Sequence, residues 1–400
     1  MAHNHNFNRS RGPCVLSLLA VWLLASPVTA QSFDAGSDGS DGALVVDTNT
    51  VLQVPDDGIF NFTTVQVDVG VVLGFTANAL NTPVYILATG DVTIAGTVHV
   101  NAGHGTAALA GLGGPGGFRG GIPNPVAGAG GPGLGPGGAA GRNTATCYFG
   151  NTGSYATTGT LYSGGTASTP YGGSLLIPLV GGSGAGGIQG YGGGGGGGAI
   201  LIASNTLVNV TGSVQAQGGR TSNNNNGGAN CAGGSGGAVR LVGTRVTGNG
   251  TVHADGSGYA PSYRGGGGRV RIDRMVQSEG IPTVSAGHWV SSSLMLVFPD
   301  NLSQLDVTHV AGTDIAVGHN SPVTVFLSNG ESPTQDVTVQ AQGFAGSSDV
   351  DISVVLAPTL GAVTTFPGTI PIGNDGTGQL TLSVDFPVNV VTHVQVWTSN

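Results

Sequence analysis

The chain has 400 residues, 76 of them glycine, and no strict three-residue glycine period, which excludes a collagen-type triple helix. Hydrophobic residues make up 39% and charged residues only 8%, the reverse of a long disordered tail, so a folded, β-rich protein is expected. Against 20 acidic residues stand 11 basic ones, all arginine, and the net charge of −9 argues against a nucleic-acid partner.

Residues 1–30 carry Arg9 and Arg11, then the apolar stretch CVLSLLAVWLLA, then SPVTA with Val28 and Ala30 ahead of Gln31. This is the three-part pattern of a cleaved signal peptide, and the apolar run is too short to span a bilayer comfortably. The expectation is a secreted or cell-surface protein with no membrane span after signal removal. Cys147 and Cys231 then remain, both in glycine- and asparagine-rich segments. In an oxidising compartment they either form one disulfide or stay as two free thiols, since spacing does not fix connectivity.

Residues 31–278 read as a β-helix. The segment 42–75 alternates apolar and polar residues and is expected to form the first coils. Three copies of a longer unit follow: PVYILATGDVTIAGTVHVNAG (83–103), AILIASNTLVNVTGSVQAQGG (199–219) and AVRLVGTRVTGNGTVHADGSG (238–258). A fourth begins at RVRIDRM (269–275) and stops. One such unit cannot bury its apolar side alone, and stacked units share a continuous core. Strand-only repeats of this length predict a parallel β-helix. Val84, Ile200, Val239 and Val270 are expected to form one inward column, and Ile86, Ile202, Leu241 and Ile272 the next.

The first two copies are separated by the glycine-rich insertion 103–198, which ends in YGGGGGGG. These glycines are expected to supply the φ > 0 backbone needed where a long loop re-enters a coil. Four readings stay open for the insertion: further coils such as GSLLIPLVGG (173–182), long loops on one side of the helix, close-packed polyproline-II-like segments, and, over 103–165, disorder.

In residues 279–400 glycine thins and acids return. Alternating runs include SLMLVF, LDVTHV, VTVFL, DVTVQAQGF, DVDISVVL, QLTLSVDF and THVQVW, with turn signals between them. That spacing predicts an immunoglobulin-like β-sandwich without the antibody cysteine pair. Trp289 and Trp397 are expected to pack in it.

The repeat copies, the glycine-rich insertions and the opening FDAGSDGSDGALVV resemble secreted bacterial glycine-rich proteins with right-handed parallel β-helices of the pectin-lyase-like superfamily. The resemblance covers roughly residues 32–275. It implies a fold and no particular activity.

Pectin-cleaving hydrolases on that fold use aspartates, a GHG and an R-I-K. Asp56-Asp57, Gly103-His104-Gly105 and Arg271-Ile272-Asp273 follow in that order, but the spacing is too long for adjacent coils and aspartate replaces the lysine. Glycoside hydrolysis also needs two facing carboxylates about 5–10 Å apart, and no Asp or Glu lies between Asp91 and Asp255. Asp34, Asp38 and Asp41 fit a solvated cap turn better than a calcium loop. Ser235, in GGSGG, reads as a turn residue and not a nucleophile. Neither a metal nor a cofactor is expected.

The remaining candidate is the outward face. Tyr85, Leu201, Arg240 and Arg271 are expected to stack on one ladder, and His99, Gln215 and His253 on another, with Asn101, Gln217 and Asp255 two residues on. With Arg245, Arg264, Arg269 and Arg274 nearby, Arg240 and Arg271 either line a groove for an anionic glycan or sit on a solvated face with Asp273 and Asp255 as partners. The expected function is that of a non-catalytic structural or adhesive protein meeting extracellular polysaccharide or a cell-surface or matrix component. The alternative is a carbohydrate-binding or polysaccharide-degrading protein using the helix face.

Overall fold

The computed structural model describes residues 33–126, 128–144, 150–160, 165, 168–221, 232–258, 263–299, 302–319, 323–328, 330–344, 346, 349–358 and 363–399. The signal-peptide pattern, Cys147 and Cys231 lie outside the described residues. The described chain is all-β, with no α-helix.

Two parallel sheets take strands in alternation. The larger contains β1 (Gly42–Val46), β3 (Ile59–Val67), β5 (Val84–Ala88), β8 (Ala199–Val210), β10 (Ala238–Thr247), β12 (Arg269–Arg274) and β14 (His288–Ser292), in that order, with β6 (Val92–Ile94) between β3 and the distal end of β8. The smaller stacks β2 (Thr50–Gln53), β4 (Val72–Thr76), β7 (Thr97–His99), β9 (Ser213–Gln215), β11 (Thr251–Ala254) and β13 (Thr283–Ala286). The chain passes from one sheet to the other and back, coil upon coil, as a parallel β-helix requires.

The repeat register is as the sequence predicts. Val84 opposes Ile200, Ile200 opposes Val239, and Val239 opposes Val270. Ile86, Ile202, Leu241 and Ile272 form the adjacent column in the same registers. Both columns lie in one buried cluster with Val98, Val214 and Val252 of the smaller sheet. Alternation selects these residues, since every second side chain points into the coil.

The winding does not stop at Met275. β13 pairs with β11 and β14 with β12, both parallel, so the coils continue to Ser292, beyond the boundary expected at 278. Trp289 opposes Val270 and takes the next place in that inward column, 48% exposed on the last described coil. TVSAGHWV hides this coil from pattern reading because a terminal coil covers little apolar surface. SLMLVF (293–298) is not a strand. Met295 and Val297 instead pack on the outer face of the larger sheet.

That outer face is covered. Phe33, Ala35, Tyr155, Tyr171, Leu176 and Leu179 pack over Leu87, Leu201, Ala203 and Val242. The unbroken AILIA at the start of β8 follows from this: both of its faces are buried, so alternation disappears. GSLLIPLVGG is therefore a cover for the sheet and not a further coil.

The polyglycine run forms the centre of a bundle. Gly192–Gly198 are buried and none has a positive φ, although Gly190, in the turn ahead of them, does (77°). The amides of Gly192, Gly195 and Gly198 donate to the carbonyls of Thr106, Gly103 and Val100. Those of Gly193, Gly196 and Ala199 donate to Gly121, Phe118 and Pro115. Both series step by three residues, the period of polyproline II, where a β-ladder would step by two. A Cβ built on any of Gly193–Gly197 would lie 2.0–2.3 Å from a carbonyl oxygen of a neighbouring segment. The run is glycine because backbones touch, and not, as expected above, because the chain must turn with positive φ. The described part of 103–165 belongs to the same hydrogen-bonded bundle.

The C-terminal residues form two antiparallel sheets. One has the order β16 (Thr313–Asp314), β15 (Gln304–Val310), β17 (Thr334–Gln342), β20 (Gly378–Asp385). The other has the order β19 (Thr364–Pro371), β18 (Asp349–Pro358), β21 (Thr392–Thr398). They share a core of Val337, Val339, Ile352, Val354, Leu356, Ile370 and Val384. VTVFL (323–327), expected as a strand, forms none of the strands among the described residues. Trp397 packs edge-on against Phe118 of the glycine bundle with centroids 5.8 Å apart, beside Leu134, Val355 and Ala357. Arg119 Nη2 donates to the Pro358 carbonyl at 3.0 Å across the same contact.

Candidate functional site

The arginine ladder exists but is closed. Tyr85, Leu201, Arg240 and Arg271 stand in register on successive strands. Arg240 is 0% and Arg271 4% exposed. Asp273 Oδ2 accepts from Arg240 Nη2 at 3.1 Å and from Arg271 Nε at 2.7 Å. Arg240 Nη2 also donates to the Leu296 carbonyl and Arg271 Nη1 to the Ser174 carbonyl, in segments that lie over the sheet. Burial, the largest influence, pulls the Arg240 guanidinium below its usual pKa, and the Asp273 charge opposes it. The ladder is thus neither an open anion groove nor a solvated face. Of the two partners expected, Asp273 serves and Asp255 does not.

Arg269, Arg274 and Arg245 are also engaged. Arg269 lies 5.5 Å over the Tyr155 ring and donates to the Tyr171 carbonyl at 2.9 Å. Arg274 donates to the carbonyls of Val246, Gln277 and Glu279, holding the turn after β12. Arg245 pairs with Glu279 at 2.6 Å on the surface, and that bond raises its pKa.

The smaller sheet presents the open ladder. His99, Gln215, His253 and Ser285 stand in register, beside the row Thr97, Ser213, Thr251, Thr283. Side chains link the rungs. Asn101 Nδ2 donates to Gln215 Oε1 at 3.0 Å, Thr251 Oγ1 to Ser213 Oγ at 3.2 Å, and Ser285 Oγ to Asp255 Oδ1 at 2.8 Å. His253 Nδ1 lies 3.3 Å from Asp255 Oδ2. Gln215 separates His99 from His253, so at about 4.8 Å per rung the two rings cannot share a metal. Among the described residues no group of three or more His, Cys, Asp or Glu could hold one. The strip can offer hydroxyls, amides and imidazoles in a flat array, with Asp255 its one carboxylate.

Burial lowers the pKa of His99, and that of His104, with Arg220 adding to the second. Both rings take up protons less readily when folded than when unfolded. Stability is therefore expected to fall as pH drops through about 6.5, the ordinary histidine value. Denaturant unfolding at several pH values checks this, and His99→Gln should flatten the slope.

The hydrolase-like residues do not assemble. Asp57 caps the turn before β3 by accepting from the Ile59 amide, and His104 Nδ1 accepts from the Arg220 amide at the edge of the glycine bundle. Arg271 is buried in a later coil. Asp34 and Asp38 accept from the Gly36 and Ser40 amides within their own loop, and the Ser40 bonds lower the Asp38 pKa. Ser235 is buried in the bundle, where its hydroxyl accepts from the Ser183 amide.

Pattern reading misses one feature entirely. A groove of about 1990 Å³ runs between the bundle and the C-terminal sheets, lined by Phe118, Tyr155, Tyr171 and Arg269 on one side and by β21 on the other. Its walls come from segments far apart in the chain, and no motif marks either.

Fold and site define an all-β protein of wound parallel sheets with a glycine bundle and a polar ladder on one face. No family model, no curated protein and no solved structure matches the chain. Among the described residues no helix is long and apolar enough to cross a membrane.

Proposed function

We propose that this chain is a secreted or cell-surface structural and adhesive protein: a right-handed parallel β-helix stiffened by its glycine bundle and carrying an immunoglobulin-like sandwich. The observation that carries the reading is where the charged groups are spent. Arg240, Arg271 and Asp273 sit inside the molecule, and the open ladder is the polar strip His99–Gln215–His253–Ser285, with Asp255 its one carboxylate. A flat array of hydrogen-bonding groups at rung spacing suits a neutral or weakly charged extracellular polysaccharide or matrix component, and supplies no paired carboxylates for cleaving one.

Pull-down on insoluble polysaccharides and a glycan array at low salt test the reading. Gln215→Ala with His253→Ala is expected to weaken binding at least about tenfold, the loss of one to two net hydrogen bonds to a ligand. Absence of binding to any polysaccharide removes that partner. Release of new reducing ends or unsaturated uronates replaces the adhesive reading with an enzymatic one. N-terminal sequencing of the exported chain is expected to begin at Gln31.

A further inference from the structure

The groove is bordered by an unused strand edge. Among the described residues β21 has one neighbour in its sheet, β18, so its other side faces the groove, and the whole of Thr392–Thr398 lines it. The Ser399 amide donates to the Asp351 carbonyl. Antiparallel alternation then aims the backbone groups of Trp397, Gln395 and His393 at β18, and those of Val394 and Val396 at the open side. Open edges in stable proteins are blunted by lysine, proline, bulges or inward charges. THVQVWT has no lysine, proline, Asp or Glu.

Across the same groove lie residues 323–328. They fall in the connection between Asp314 and Thr334, far longer than the usual loop of about 4–6 residues. Val323, Thr324, Val325, Phe326 and Leu327 alternate as a strand does, yet Phe326 is 86% exposed. Val325 already packs against the core that Val394 and Val396 share. In extended form the segment places Val323 and Leu327 on that core side too. Phe326 then faces the opposite side, where Trp397 meets Phe118.

We propose that residues 323–327 add as a fourth strand to the free edge of β21, closing the groove and clamping the C-terminal sheets onto the glycine bundle. The added ladder satisfies the Val394 and Val396 backbone, and the side-chain alternation sends three apolar residues to the shared core and one aromatic to the bundle. The occupant is this chain's own segment, because it already lines the groove with Val325 packed on the shared core. The closure stands apart from the adhesive reading, which concerns the smaller parallel sheet.

Residue-resolved amide hydrogen exchange on the full chain tests it without any substitution. Val394, Val396 and alternate residues of 323–327 are expected to exchange at least about a hundredfold slower than unprotected amides, as paired strands do. That protection is expected to be unchanged on dilution, with the protein sedimenting as a monomer. Rapid exchange on either side of the ladder overturns the closure. Protection that disappears on dilution overturns it in favour of strand donation by a second copy. Protection of β21 alone, with 323–327 exchanging freely, shows another occupant and overturns it as well.

Discussion

Asp273→Asn is expected to destabilise the protein by about 3–5 kcal/mol, the cost of leaving buried charge uncompensated. One carboxylate serves two guanidiniums here, through a single oxygen. Asp273 Oδ2 takes the bonds from Arg240 and Arg271, and Asp273 Oδ1 is buried with no hydrogen-bond partner among the described residues. The asparagine amide therefore has room: its oxygen can keep the Oδ2 position and its nitrogen the bare one. Shape and most hydrogen bonds survive, and what is lost is the charge between two cations on neighbouring strands. Denaturant unfolding measures the loss. Replacing Arg240, Arg271 and Asp273 together with apolar residues of similar volume should restore stability to near the starting value, because the desolvation cost of all three charges goes with them. A cost below about 1 kcal/mol for Asp273→Asn, the range of exposed ion pairs, would mean that water reaches the ladder and that the cover from residues 171–180 and 294–298 is not seated.

The same residues mark how far the sequence could be read. Adjacency of Arg240 and Arg271 was legible, because parallel coils set corresponding repeat positions side by side and the repeats align by eye. Val84, Ile200, Val239 and Val270 follow for the same reason. Burial of the arginines was not legible. Their cover comes from Ser174 and Leu296, in segments with no repeat, and a covered outer face leaves no mark on the polar members of a strand. The one hint was AILIA, whose missing alternation reports a second buried face. The last coil escaped because His288, Ser291 and Ser292 replace the aliphatic residues of earlier coils. Of the candidate site, the rungs His99–Gln215–His253 were legible from spacing alone. Their standing as the open ladder was not, since it depends on which sheet the rest of the chain covers.

The polyglycine run supports the second large effect. Gly196→Ala is expected to cost more than the 1–3 kcal/mol typical of an overpacked core, about 3 kcal/mol or above, because its obstacle is backbone. The new Cβ would sit 2.0 Å from the Gly182 carbonyl oxygen and 2.6 Å from the Ser183 amide nitrogen. Segment 182–183 cannot withdraw freely: Gly182 accepts from the Phe118 amide and donates to the Gly197 carbonyl. Gly196 is itself tied on two sides, donating to Phe118 and accepting from Gly114. Two glycines separate the possible reasons for the residue. Gly190 has open space around its Cβ position and a φ of 77°, so Gly190→Ala carries only the left-handed backbone cost of roughly 1–2 kcal/mol. Gly280 has open space and no positive φ, so Gly280→Ala should be neutral within about 0.5 kcal/mol. If thermal unfolding ranks Gly196 above Gly190 above Gly280, close backbone approach is what the glycines provide. If Gly190 proves the costlier site, the run serves chain reversal, and the three-residue hydrogen-bond step around Gly192–Gly198 has no structural weight.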